Sequence, residues 1–189
     1  MHTYATPIHI VRESQPDLPV WCFRPERVAA AARWFRDSFS AEPFYAVKAN
    51  PGEHVLDALW AGGVRSFDCA SDTEVELIRT RFPSARIAFL HPVKNRRAIA
   101  RAYNEFGVRI FVTDTMAELN KILEETGFAK DLTIIVRVAV SCDGAALPLA
   151  GKFGASADDA AEILREARRH ADELGVSFHV GSQALTPTA

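Results

Sequence analysis

Short apolar segments return along this chain at a nearly constant interval, and that spacing restricts the fold more than any other feature. They lie near 44–48, 65–69, 86–90, 108–112 and 132–138, with a sixth near 176–180. The first five begin 21, 21, 22 and 24 residues apart. Most are apolar without alternation, as strands covered on both faces are. The intervals between them carry helix signals. Asn50-Pro51-Gly52-Glu53 offers an N-cap, a proline in the first turn and an acid at the third position. Ser71–Glu74 and Thr115–Glu118 read as capping boxes, and Ser156 caps a helix expected to run to about Leu174. Stop signals follow at Gly62-Gly63, Pro83, Gly107, Gly127 and Gly175. An earlier helix is expected from Pro25 to Phe39. The one long irregular stretch is 139–155, and long loops in compact domains are usually functional.

Strand–helix alternation implies a parallel sheet with right-handed crossovers. A doubly wound sheet and a (β/α) barrel both satisfy it. Polar residues stand at nearly every strand end: Lys48 and Asn50, Asp68 and Ser71, His91, Thr113 and Asp114, Arg137, then His179 and Ser182. In a (β/α) barrel all those ends meet on one face, where the site is built. No GxGxxG follows a strand, which weakens a dinucleotide-binding reading. The fold class read here is α/β, a (β/α)8 TIM-type barrel with about six of its eight strands present.

The totals narrow the function classes. A length of 189 residues suffices for one domain with a core, and a net charge of -2 with no basic patch speaks against nucleic acid. No polybasic or long apolar run points to a membrane, and the first residues lack the layout of a signal peptide. Cys22, Cys69 and Cys142 are far apart, without a CxxC, and read as reduced thiols of a cytoplasmic protein. The histidines show no metal-ligand spacing, so no metal is expected.

Four residues carry candidate chemistry. Lys48 closes the apolar run Phe44–Val47, with a turn directly after it. Its stem could snorkel the charge to water, and on this stretch alone that reading and a working lysine stand level. His179 follows "VSF" and alone would read as a core histidine. Arg137 ends "TIIVR", where an unpaired guanidinium is costly, so a carboxylate or an anionic ligand is expected beside it. Asp68, at the second strand end, is one such partner, and otherwise a helix cap or ion pair.

The segments "FYAVKAN" (44–50), "FDCAS" (67–71), "PLAGKFG" (148–154) and "GVSFHVGSQ" (175–183) stand in one order. With them the chain resembles the fold-type III pyridoxal-phosphate decarboxylases, the ornithine/lysine/diaminopimelate/arginine decarboxylase family with its alanine racemase-like barrel. "CDGAALPLAGKFG" (142–154) is most similar to the bacterial ornithine decarboxylase branch. The resemblance runs from about Leu18 onward. It implies an N-terminal segment 1–17, an incomplete barrel domain 18–189 that binds pyridoxal 5'-phosphate, and no C-terminal β-domain in this chain. It makes Lys48 the lysine that bonds the cofactor and His179 the histidine that stacks on its ring. Asp68 and Arg137 lie beside the cofactor, and Ser182 contacts its phosphate. Glu74 is expected to close the Ser71 cap, and Lys152 either to act directly or to order the loop. Relatives carry several more residues where "ELGVSFHVGS" passes from helix to strand.

The activity so implied is decarboxylation of a basic amino acid, ornithine or lysine, to a diamine of polyamine biosynthesis, by a cytoplasmic homodimer. The alternatives are diaminopimelate decarboxylase, an alanine racemase-like barrel, a non-catalytic decarboxylase-like regulator, and an inactive fragment. Six strands without closure expose two sheet edges, so association at those edges is expected.

Overall fold

The computed structural model of the chain describes residues 3–140, 145–147 and 151–184, with side chains left aside at 145–147 and 184. Cys142 and the first three residues of "PLAGKFG", 148–150, lie outside the described residues. Two helices lead in: α1 (Pro7–Ser14), with no buried residue, and α2 (Pro25–Ser38), which buries Ala29 and Ala32. Then strands and helices alternate: β1 (Phe44–Ala46), α3 (Glu53–Ala61), β2 (Ser66–Cys69), α4 (Asp72–Arg81), β3 (Arg86–Phe89), α5 (Arg96–Asn104), β4 (Ile110–Thr113), α6 (Met116–Glu125) and β5 (Thr133–Arg137). After them come β6 (Ala145–Leu147), α7 (Ala157–Ala167), β7 (Glu173–Ser177) and β8 (Ser182–Ala184).

The six strands β1-β2-β3-β4-β5-β7 form one parallel sheet in that order. Period-two alternation sends Phe67, Ile87, Phe89, Phe111, Ile134 and Val136 outward into the helices, where they join Leu56, Ile78, Ile99, Leu119, Ile122 and Ile163 in one core. Trp60 and Phe82 stack at 4.4 Å, with Phe67 5.8 Å from Phe82. The opposite face is concave. A cavity of 430 Å³ is lined from Phe44 of β1 across Ala88 and Ile110 to Ile135 of β5, and by Phe35 and Phe39 where α2 ends. This is the partial (β/α) barrel that the alternation predicts. Gly62 lets α2 lie against α3, since a Cβ there would come within 2.6 Å of the Ala32 methyl group.

The helix starts follow the expected chemistry at three sites. Ser71, Thr115 and Ser156 accept from the backbone N–H of Glu74, Glu118 and Asp159. The reciprocal halves of the boxes depart from expectation. The Glu74 carboxylate accepts from Ala70 N at 2.7 Å, one residue before the cap. The Glu118 carboxylate turns instead to Lys94 and Lys121, because a buried ammonium holds it more strongly than an amide does. Asn50 caps no helix; it accepts from Gly52 N at 3.0 Å in the turn before α3.

Two boundaries correct the sequence reading. β1 ends at Ala46, and Val47–Ala49 form one 3-10 turn, so Lys48 stands just past the strand. The last strand of the sheet is 173–177, not 176–180, and α7 ends at Ala167, not near Leu174. Edge pairing decides this: Thr133 to Arg137 of β5 match Glu173 to Ser177 residue for residue. Gly175 suits that register, since a Cβ there would already lie 3.2 Å from Ile135. His179 therefore follows the strand rather than ending it. Ser182 is not at a strand-to-helix turn but in β8, which pairs antiparallel with β6 in an unforeseen two-stranded sheet. Among the described residues no helix is long and apolar enough to cross a membrane.

Candidate active site

The C-terminal ends of β1, β2, β3, β4, β5 and β7 form one rim. Pairing sets Ala46 beside Asp68, so the turn carrying Lys48 begins beside the end of β2. Asp68 is half-buried, and burial raises its pKa above the ordinary carboxylate value; the positive charge of Lys48 pulls the other way and the charge of Glu74 adds to the rise. Lys48 itself is exposed. The apolar residue next to it, Val47, is fully buried and fixes the turn. Cys69 points to the helices, and burial pushes its thiol pKa far up, so it is not the rim's reactive group.

Arg137 ends β5 on the concave face and is half-buried. The expected pairing with Asp68 does not form: the two stand on strands separated by β3 and β4. Its guanidinium lies over Phe153 instead, with Cζ 5.2 Å from the ring centroid. Phe153 belongs to "GKFG", which lies across the rim. Ala155 N donates to Arg137 O and Ala139 N to Ala155 O, at 2.8 and 2.9 Å. Gly154 N donates to the Asp114 carboxylate beyond β4 at 3.0 Å. Gly154 has φ +100°, and a Cβ there would stand 2.5 Å from Ala139 N, so only glycine fits. Lys152 is exposed, with Nζ 5.0 Å from the Phe153 centroid.

His179 and Ser182 lie past β7 and are exposed. Gly181 N donates to His179 Nδ1 at 2.9 Å, which leaves the neutral ring's proton on Nε2. Gly181, at φ +100°, permits that tight return. The sequence reading thus has Lys48, Asp68, Arg137 and His179 on one rim, with Ser182 further along the chain.

It missed a buried ion pair under the rim. Lys94, five residues past β3, has a side chain with no exposure. Its ammonium meets Glu118 Oε1 at 3.0 Å and donates to His91 O at 3.0 Å and Val112 O at 2.6 Å. All three donors are satisfied at the ends of β3 and β4. Burial nevertheless pushes the lysine pKa down to about 8, against the pull of Glu118. The lysine in "HPVKN" gave no periodic signal, because it follows the strand by way of a bend.

Comparison with known proteins follows the same outline. Residues 26–189 match the family described as pyridoxal-dependent decarboxylase, pyridoxal binding domain. A decarboxylase of Aspergillus flavus, flvG, is 38% identical over 159 residues, 83% of this chain and 36% of that protein. Ornithine decarboxylase of Mus musculus is 34% identical over 157 residues, 82% of this chain and 33% of that one. Lysine decarboxylase from Selenomonas ruminantium superposes with a TM-score of 0.82 at 27% identity, over 100% of this chain and 49% of that one. The arginine decarboxylase of Paramecium bursaria Chlorella virus, solved with agmatine, gives a TM-score of 0.75 at 30% identity, covering 86% of this chain and 44% of that one. The chain spans about a third of the length of the curated relatives it matches and about half of these solved chains.

Proposed function

The chain belongs to the pyridoxal-dependent decarboxylases through their pyridoxal binding domain, and on that premise we propose that it serves the decarboxylation of a basic amino acid, ornithine or lysine, to a diamine. The observation that carries this reading is the placement of Lys48 directly past β1, beside the half-buried Asp68 at the end of β2. An amine and a carboxylate so placed, with the Arg137 guanidinium on the same rim, fit an aldehyde-bearing, anionic cofactor.

Lys48 is the residue that would bond pyridoxal 5'-phosphate, and its exposure on the rim leaves the amine accessible. When bound, the cofactor supplies an electron sink for the bond to the departing carboxylate. Asp68 would set the charge beside Lys48, and burial raises its own proton affinity. Arg137 offers donors to an anionic group, since it has no carboxylate partner among the described residues. We assign His179 to the cofactor ring and Ser182 to its phosphate. His179 is supported by its place just past β7. Ser182 is supported by the resemblance of "HVGSQ" alone, since β8 holds it in a separate pairing.

In this reading residues 18–189 belong to the barrel domain. The substrate class follows the relatives, which include ornithine and lysine decarboxylases. Polyamine synthesis, a cytoplasmic setting and a homodimer complete the reading. Association is supported by β1 and β7, each paired on one side only among the described residues, and by Val176 and Phe178, which are 58% and 64% exposed. The test is release of labelled carbon dioxide from carboxyl-labelled ornithine and lysine by the chain supplied with the cofactor. Release lost in Lys48→Ala supports the reading. Release that survives that substitution overturns it, as does the absence of release from either amino acid.

A further inference from the structure

We propose that Phe153 is a positioning residue for Arg137: its ring selects the one orientation in which the guanidinium faces the barrel mouth. The proposal rests on the assignment of Arg137 to the anionic cofactor. An arginine side chain has several rotatable bonds, and without a partner at its tip it samples many orientations. Arg137 has no carboxylate or carbonyl partner among the described residues. The Phe153 ring, 5.2 Å from Cζ, is the group set against it. A cation over an aromatic face is held by the ring's charge distribution without using up its hydrogen-bond donors. The guanidinium is thereby aimed while its N–H groups stay free for an anion.

The ring can do this because it is fixed from three strands. Main-chain bonds tie its segment to β5, from Ala155 N to Arg137 O at 2.8 Å, and Gly154 N is anchored to Asp114 beyond β4 at 3.0 Å. From the β3 side, the His91 ring meets Phe153 edge-on at 5.8 Å and 80°. His91 is itself held, since its carbonyl accepts from the buried Lys94 ammonium. Lys152, the second cation over the ring, is exposed and takes its solvation from water. Arg137 is half-buried and depends more on the ring.

The experiment compares the full chain with Phe153→Leu, which keeps an apolar group of similar bulk, and Phe153→Tyr, which keeps the ring. The Arg137 Nε–Hε resonance, identified by its loss in Arg137→Lys, reports orientation without any cofactor. It should be displaced by the ring current in the native chain and in Phe153→Tyr. In Phe153→Leu it should fall among the exposed arginines. Pyridoxal 5'-phosphate titration, followed by absorbance, should show about three- to tenfold weaker binding in Phe153→Leu and near-native binding in Phe153→Tyr. Thermal midpoints should stay together.

A native resonance with no ring-current displacement overturns the proposal whatever the variants do. Equal cofactor affinity in Phe153→Leu and the native chain also overturns it, and leaves the decarboxylase reading intact. If the native chain captures no cofactor, that reading fails and the resonance alone decides whether Phe153 positions Arg137.

Discussion

The two rims of the sheet treat their polar residues in opposite ways. At the N-terminal rim the charged side chains find protein partners. The Glu42 carboxylate accepts from the Ser66 hydroxyl and pairs with Arg86. Arg109 pairs with Asp131 at 2.6 Å, and Thr133 donates to Glu173 at 3.1 Å. At the C-terminal rim Lys48, Asp68 and Arg137 have neither a hydrogen bond nor an ion pair with another described side chain, although two of the three are half-buried. Buried polar groups in a finished structure find partners, so a rim that leaves them open is built for a ligand. On the proposed function, one rim serves stability and the other binding. The buried ion pair of Lys94 and Glu118 joins the two roles, since it locks the ends of β3 and β4 beneath the open rim.

Substitutions can break or sharpen that contrast. The largest effect should come from the buried pair. Glu118→Leu leaves the Lys94 ammonium without its carboxylate and should cost about 3–5 kcal/mol in urea unfolding; a cost below about 1 kcal/mol would mean that the ammonium finds water. The same lysine gives a pH signature. Its folded pKa of about 8 lies below the ordinary lysine value of 10.5, so the unfolded chain holds that proton more tightly. Stability should therefore rise with pH from about 8 to 10.5, with a slope of up to about 1.4 kcal/mol per pH unit from this group. Lys94→Met should remove the rise, and a profile that falls across this window would contradict the assignment.

Gly154→Ala comes next. It forces a Cβ against Ala139 N at a φ of +100° and should cost about 1–3 kcal/mol, read as a lower thermal midpoint. An unchanged midpoint would show that the "GKFG" segment is not held where it lies. The smallest stability effects belong to the open rim. Lys48→Ala and Asp68→Asn should each change unfolding free energy by less than about 1 kcal/mol at neutral pH. Asp68→Asn should lean toward stabilisation, because burial disfavours the ionised carboxylate. Both should nonetheless weaken cofactor capture. A large loss of stability in either would erase the distinction between the rims.

Much of this was legible in the sequence, and the failures have physical causes. The first five strands and the caps at Ser71, Thr115 and Ser156 declare themselves through local chemistry that needs no tertiary partner. Lys48 and Asp68 were readable because a charged residue at the end of an apolar run is conspicuous. The last strand was placed three residues late. "ELGVSFHVGS" offers apolar residues in either register, and pairing with β5, which sequence periodicity does not encode, chose between them. That choice moved His179 past the strand and Ser182 into a pairing with β6. Lys94, Gly154 and Phe153 were invisible as partners because their roles depend on contacts across 24, 40 and 16 residues of sequence, to Glu118, Asp114 and Arg137.

The central claim is that the open rim captures pyridoxal 5'-phosphate through Lys48. The direct measurement is to mix the chain with the cofactor, reduce with borohydride and map the modified lysine by mass spectrometry, with Lys48→Ala as control. The account predicts label on Lys48 and none at that site in the variant, with Lys94, whose side chain has no exposure, left unmodified. Label scattered over exposed lysines such as Lys130 and Lys152, with no preference for Lys48, would contradict it.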